Sequence, residues 1–250
     1  LKKKKNLKII KKDFRKLSVS ELKKHKIVIH LANVANDPGA ILNPLLSWNI
    51  NTLGTKIIIE KCIKAKIQHF IFASSGSVYG VSKKRRVTEN TDLLPISTYN
   101  ETKMIAEQIL FNYFNKIKIQ IIRPATVCGF SKRLRLDVAV NLLTNQAIKK
   151  REMTILGGKQ VRPNIHIKDF VRVIIHFIKK KSINSGVYNA GFENLSIVEI
   201  AKKIQKLIKS KIKFKKSNDK RSYRLDSTKL LNSGFRPKFN VNYAIKEIIE

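Results

Sequence analysis

The sequence predicts an α/β fold built on a parallel sheet, and three observations carry that prediction. Residues 27–32 and 70–73 are short apolar runs rich in β-branched and aromatic side chains, the pattern of strands buried on both faces. A third run, 117–123, has the same character. After the second run, Met104, Ile105, Ile109, Leu110 and Phe114 recur at helical spacing. Strands alternating with helical patterns are the mark of βαβ units.

Composition bounds the remaining choices. The 250 residues suffice for one domain, or one domain and a small lobe, and 43% hydrophobic content is ordinary for a globular protein. No apolar run approaches the roughly 18 residues that cross a bilayer, and the start is unlike a signal peptide, so a cytoplasmic protein with no membrane partner is expected. Two cysteines, Cys62 and Cys128, make no disulfide framework, the five histidines are scattered, and no metal site is expected. The formal charge of +35 raises the question of nucleic acid. Lysine is spread along the whole chain beside abundant Ile and Asn rather than gathered into a stripe, so nucleic acid is not the expected partner.

Taken in order, Leu7, Ile9 and Ile10 read as a short strand ending near Asp13 and Phe14, and 17–24 as a helix that Ser20 interrupts. The strand 27–32 follows, then a loop marked by Pro38, Gly39, Asn43 and Pro44. A long helix runs through Asn51 and Gly54 to about residue 66. Glycine inside a helix costs about 1 kcal/mol against Ala, so close packing is its expected reason. The strand 70–73 ends in Ser74, Ser75, Gly76 and Ser77. Residues 81–98 read as a surface loop before the helix that opens at Tyr99. After the strand 117–123 come a helix over 136–149, a strand over 153–156, and a turn at Gly157 and Gly158. Asp169 reads as the cap of the next helix, and Ser196 with Glu199 as a capping box. A last helical region follows Tyr223.

The chemistry centres on Tyr99 and Lys103, four residues apart on one helical face and within reach of each other. A free tyrosine titrates near pH ~10 and is a poor base at neutral pH. A neighbouring ammonium favours the phenolate and lowers that pKa, which suits Tyr99 to proton transfer. Ser75, at the end of the strand, is placed to hydrogen-bond the same substrate oxygen.

A strand ending in Ser-Ser-x-Ser-Val-Tyr-Gly (74–80), followed by Tyr-x-x-x-Lys (99–103), resembles the extended short-chain dehydrogenases/reductases, the nucleotide-sugar epimerases, dehydratases and reductases. The resemblance implies a Rossmann-type doubly wound parallel sheet with a small C-terminal α/β substrate lobe. It implies an NAD-binding domain over 1–130, to which 164–180 return, and a substrate lobe from 131–163 and 181–250, with 188–191 as a small strand of that lobe. It also implies NAD as cofactor, with Asp13, Phe14, Leu31, Ala32, Asn33, Asn51, Tyr99 and Lys103 in contact with it. Taken alone, His30 reads as a packed structural histidine and Asp13 as a strand-ending or capping residue. The substrate implied is a nucleotide-sugar, contacted by Ser77, Thr126, Arg162 and Arg221, and the implied assembly is a homodimer. Catalysis falls to Ser75, Tyr99 and Lys103.

No Gly-x-x-Gly-x-x-Gly loop occurs, and the match to the family begins at its third strand. The chain is therefore expected to be a fragment without the first strands and the glycine loop, leaving an unfilled slot between a strand at Ile9 and one at Val28. The activity implied is NAD-dependent epimerisation at C4 through a 4-keto sugar. A 4,6-dehydratase is disfavoured because Gly76 and Ser77 stand where that branch carries Asp-Glu. A reductase or decarboxylase of the same family, or a non-catalytic dinucleotide- or nucleic-acid-binding protein, stands as the alternative.

Overall fold

The computed structural model of the protein describes residues 7–82, 84, 86–217 and 222–250. Its strands are β1 (Ile27–His30), β2 (His69–Ala73), β3 (Lys118–Pro124), β4 (Thr126–Cys128), β5 (Glu152–Leu156), β6 (Val161–His166), β7 (Gly186–Ala190), β8 (Glu193–Ser196) and β9 (Lys211–Lys215). Its helices are α1 (Val19–Leu22), α2 (Asp37–Leu42), α3 (Pro44–Ser47), α4 (Gly54–Lys64), α5 (Thr98–Phe111), α6 (Ala139–Lys150), α7 (Ile167–Lys179), α8 (Ile197–Gln205), α9 (Thr228–Asn232) and α10 (Val241–Ile249).

The apolar runs form the centre of a parallel sheet in the order β1–β2–β3–β7. Side chains alternate between its faces. Phe70, Phe72, Ile119 and Ile121 meet Ile58, Ile59 and Cys62 of α4 and Ala106 and Leu110 of α5. Ile71 and Ile122 point the other way, to Val173, Ile174 and Phe177 of α7. Each such fully buried Phe or Ile contributes roughly 1.5–3 kcal/mol relative to exposure. The second unit has its own core, where Val140 and Leu143 of α6, Ile200 and Ile204 of α8 and Ala244 of α10 close over Met153 and Ile155 of β5. A short sheet, β4–β6–β8, joins the two units, with β4 and β6 parallel and β6 and β8 antiparallel.

Several elements differ from the sequence reading. Residues 7–10 are exposed and form no strand, and no ladder joins them to β1. Two or three apolar residues without a paired neighbour have nothing to hold them extended. The outer edge of β1 has no strand partner among the described residues, so the expected slot has no strand on its far side. The expected helix 17–24 is only the single-turn α1, because Ser18 caps at that point with a capping box to Glu21, and a 3-10 turn, Phe14–Lys16, precedes it. The long helix carries a π-helical turn, Trp48–Leu53, around Asn51. At Gly54 a β-carbon would lie 2.7 Å from the Phe14 ring, so this glycine does serve close packing.

The loop 81–98 is not wholly on the surface: Val87 is fully buried and bridges Leu225 across the fold. Residues 188–191 were expected in the small lobe, but β7 is the fourth strand of the main sheet, hydrogen-bonded in parallel to β3. Its partner is set by long-range pairing, which a short run such as Gly-Val-Tyr-Asn-Ala does not reveal. His166, rather than Asp169, caps α7, its Nδ1 accepting from the Lys168 amide at 3.0 Å. Asp169 is fully buried and accepts from the backbone N–H groups of Lys238 and Phe239 at 2.9 and 2.8 Å, so it fixes the approach to α10.

Candidate active site

The chain leaves β2 through Ser74 and Ser75 at the carboxyl ends of the strands, where open α/β sheets gather their ligands. Ser75 caps the 3-10 turn Gly76–Tyr79, accepting from the Ser77 amide at 3.2 Å. Its hydroxyl lies 2.7 Å from that of Ser77, which in turn donates to Asn100 Oδ1 at 2.5 Å. Ser97 caps α5 by accepting from the Asn100 amide. These contacts bring the first turn of α5, which carries Tyr99, against the end of β2.

Burial pushes the Tyr99 phenol up to about 12, while the nearby Ser75 hydroxyl and the charge of Arg135 pull it back. The expected lowering by Lys103 is therefore not the state of this structure. Lys103 is buried, and its Nζ donates to the Ala73 carbonyl at 2.5 Å and lies 4.6 Å from the centre of the Phe72 ring. Burial holds this ammonium down to about 7, against the opposing pull of the Glu107 carboxylate. All three expected catalytic residues thus converge at the end of β2, but the ammonium is turned to the strand rather than to the phenol.

Beneath them lies a buried network that the sequence reading missed. Arg123 of β3 forks onto Glu107, with Nη2 to Oε2 at 2.6 Å and Nε at 3.1 Å from both oxygens. Ser74 donates to the same carboxylate. Arg123 Nη1 also donates to the Tyr79 hydroxyl at 2.8 Å, and Tyr79 donates to Asn189 Oδ1 at 2.7 Å. The signal available in the sequence was the spacing of Tyr99, Lys103 and Glu107, a polar stripe along one face of α5.

A cavity of about 580 Å³ opens beside Ser75 and Tyr99 and runs between the two units. Ser77, Thr126 and Arg162 line it, so three of the four expected substrate contacts face one space. Arg221 lies outside the described residues. Thr126 and Asn164 are neighbours in the β4–β6 ladder, and both line the cavity. The mouth carries a cluster not foreseen from sequence. Arg135 pairs with Asp137 at 2.7 Å, Asn36 donates to Asp137 at 3.2 Å, and Ser97 donates to Asp37 at 2.6 Å. Among the described residues no group of His, Cys, Asp or Glu is arranged to hold a metal. None of the described helices is long and apolar enough to cross a membrane.

Of the residues expected at NAD, Leu31, Ala32 and Asn33 follow the carboxyl end of β1. Leu31 and Ala32 are exposed, and both polar atoms of the Asn33 side-chain amide are without a partner among the described residues. An orphaned amide beside a small residue and an open strand end fits a dinucleotide approaching there. Asp13 caps the turn Phe14–Lys16 and pairs with Arg15 at 2.6 Å, which lowers its carboxyl to about 2. Phe14 packs 5.1 Å from the ring of His30, itself buried and bonded to Thr55. Asn51 differs from the expected cofactor contact. It is fully buried, accepts from Val34 N and donates to Val34 O and Thr102 Oγ1 at 2.8–3.1 Å. Its amide pins the loop after β1 to α5.

The family model described as NAD dependent epimerase/dehydratase family matches residues 2–191. The chain is 34% identical over 186 residues to the uncharacterized UDP-glucose epimerase YtcB of Bacillus subtilis, covering 72% of this chain and 57% of that one. It is 29% identical over 236 residues to the UDP-glucose 4-epimerase of Lactobacillus helveticus, covering 84% and 72%. The UDP-glucuronic acid 4-epimerase of Bacillus cereus, solved with UDP-glucuronic acid and NAD, superposes with a TM-score of 0.84 at 26% identity, over 96% of this chain and 79% of that one. Together with the Ser75, Tyr99 and Lys103 constellation on a parallel sheet, these matches show that the chain belongs to the NAD dependent epimerase/dehydratase family.

Proposed function

We propose that the protein is an NAD-dependent epimerase of a nucleotide-activated sugar, acting at C4 through a transient 4-keto sugar. The observation that carries this reading is that Ser75 and Tyr99 stand together in the wall of a cavity that continues to Thr126 and Arg162. Tyr99 takes the proton of the C4 hydroxyl and later returns it, while Ser75 steadies the same oxygen. Bound NAD supplies the acceptor and donor of hydride, on the side of Leu31, Ala32 and Asn33. Asp13 and Phe14 hold its far end. Lys103, whose ammonium sits at the end of β2 on the Ala73 carbonyl, holds its ribose. Arg162 grips the diphosphate with its planar fork, and Ser77 and Thr126 contact the sugar.

The relatives named as UDP-glucose epimerases support a UDP-sugar as the substrate class. Dehydration is disfavoured at Gly76, where a β-carbon would stand 3.0 Å from the Pro124 carbonyl oxygen, leaving little room for an acid. A cytoplasmic homodimer is the proposed assembly; exposed Leu53 and Phe111, near α4 and at the end of α5, supply apolar surface for it. The test is to incubate the protein with NAD and UDP-glucose and follow the anomeric protons of substrate and epimer by NMR. Tyr99→Phe should lower turnover by about 10²-fold or more, the usual scale for losing a general acid/base. Near-normal turnover in that variant rules the mechanism out.

A further inference from the structure

Asn164 lies on β6 and is 2% exposed. Its side-chain nitrogen donates to the carbonyl oxygens of Arg162 at 2.7 Å and Glu193 at 3.4 Å. Both partners can only accept, so the nitrogen must face them and the amide oxygen must face the opposite way. That oxygen has no partner among the described residues. Asn164 lines the cavity, and buried amide oxygens are otherwise almost always satisfied.

We propose that Asn164 Oδ1 is a specificity-determining contact: it accepts a hydrogen bond from a neutral donor on the sugar ring, a hydroxyl at C2 or C3 or an amide N–H at C2. The inference rests on the nucleotide-sugar reading above and names what that site selects. Its placement follows from the strands. Arg162, the proposed diphosphate contact, is two residues back on the same face of β6. Thr126, the ladder neighbour of Asn164, belongs to the segment that leaves β3 past Gly76, beside Ser75. Asn164 thus stands between the anionic end of the ligand and the reacting end, where C2 and C3 of the sugar lie. The amide cannot turn over to become a donor without giving up its bonds to two carbonyls. A phosphate, carboxylate or carbonyl oxygen set against it would meet one lone pair with another. A site built to hydrogen-bond a substrate OH or NH discriminates strongly against an analogue that lacks the proton.

Calorimetric titration of the protein with UDP-glucose, its 2-deoxy-2-fluoro and 3-deoxy-3-fluoro analogues, and UDP tests this directly. Fluorine fills the place of the hydroxyl without its proton. One of the two analogues should bind about 10-fold or more weakly than UDP-glucose, equivalent to about 1.4 kcal/mol. In Asn164→Leu that difference should shrink to less than about twofold, while the affinity for UDP stays as it was. If both analogues bind the unaltered protein as tightly as UDP-glucose does, the proposal is overturned, and this arm stands even if the variant does not fold. If Asn164→Leu weakens UDP as much as UDP-glucose, the donor is not on the sugar and the proposal is again overturned. Absence of any binding by UDP and UDP-glucose alike would overturn the nucleotide-sugar reading itself, whereas binding without discrimination overturns the Asn164 contact alone.

Discussion

Lys103 Nζ lies 2.5 Å from the carbonyl oxygen of Ala73, so α5 is tied to the last residue of β2 by its own ammonium. The tie has a cost that depends on pH. Burial holds Lys103 down to about 7, against about 10.4 in an unfolded chain. Below about pH 7 both states carry the charge and the full cost of burying it is present. Between about pH 7 and 10 the unfolded chain binds the extra proton, so this residue's contribution to stability improves as pH rises through that window.

Lys103→Met should therefore stabilise the fold most near pH 6 and least near pH 10, read from urea midpoints at the two values. Equal gains at both would show that Lys103 keeps its ordinary pKa.

The pair Glu107 and Arg123 is almost wholly buried, with side chains 0% and 3% exposed. Removing one partner leaves an uncompensated buried charge, so Glu107→Leu should cost about 3–5 kcal/mol in chemical denaturation. Combining Glu107→Leu with Arg123→Met should cost less than the sum of the two single changes. Strict additivity would mean that the two residues act independently.

Arg162→Lys keeps the net charge and loses the planar fork. Affinity for a UDP-sugar should fall several-fold, and the slope of affinity against salt should stay nearly that of the parent. An unchanged affinity would assign the ligand to the general basic field of the protein instead.

Gly76→Asp places the first acid of the dehydratase pattern after Ser75. Its β-carbon would crowd the Pro124 carbonyl, so a loss of about 1–3 kcal/mol is expected in thermal melts. Mass spectrometry of the UDP-sugar pool should show no product lighter by one water. Appearance of such a product would show that this backbone tolerates dehydration chemistry.

The elements legible in the sequence were those whose burial is written locally. The Phe70–Phe72 and Ile119–Ile122 runs announce central strands, and Ser75, Tyr99 and Lys103 announce the candidate site through their spacings. β9 escaped because Lys-Ile-Lys-Phe-Lys is mostly exposed and its pairing with β5 is a matter of distant register. Arg123 escaped for a different reason: it sits inside an apolar strand, and only the folded chain brings Glu107 of α5 and Tyr79 to it. Asn164 has no spacing signal at all; its unmet oxygen becomes visible only when the carbonyls of Arg162 and Glu193 fix the direction of its amide.

β7 completes the main sheet only after the chain has passed through β4, α6, β5, β6 and α7. The contact between β3 and β7 therefore closes a very long loop, and loop closure must precede the reward of the ladder. Folding should be slow for a chain of this size, with β1–β2–β3 assembling before the fourth strand arrives. Synthesis imposes the same order, since β7 emerges late. A polypeptide stopped short of Gly186 would leave β3 as a naked apolar edge, ready to recruit the equivalent strand of another molecule.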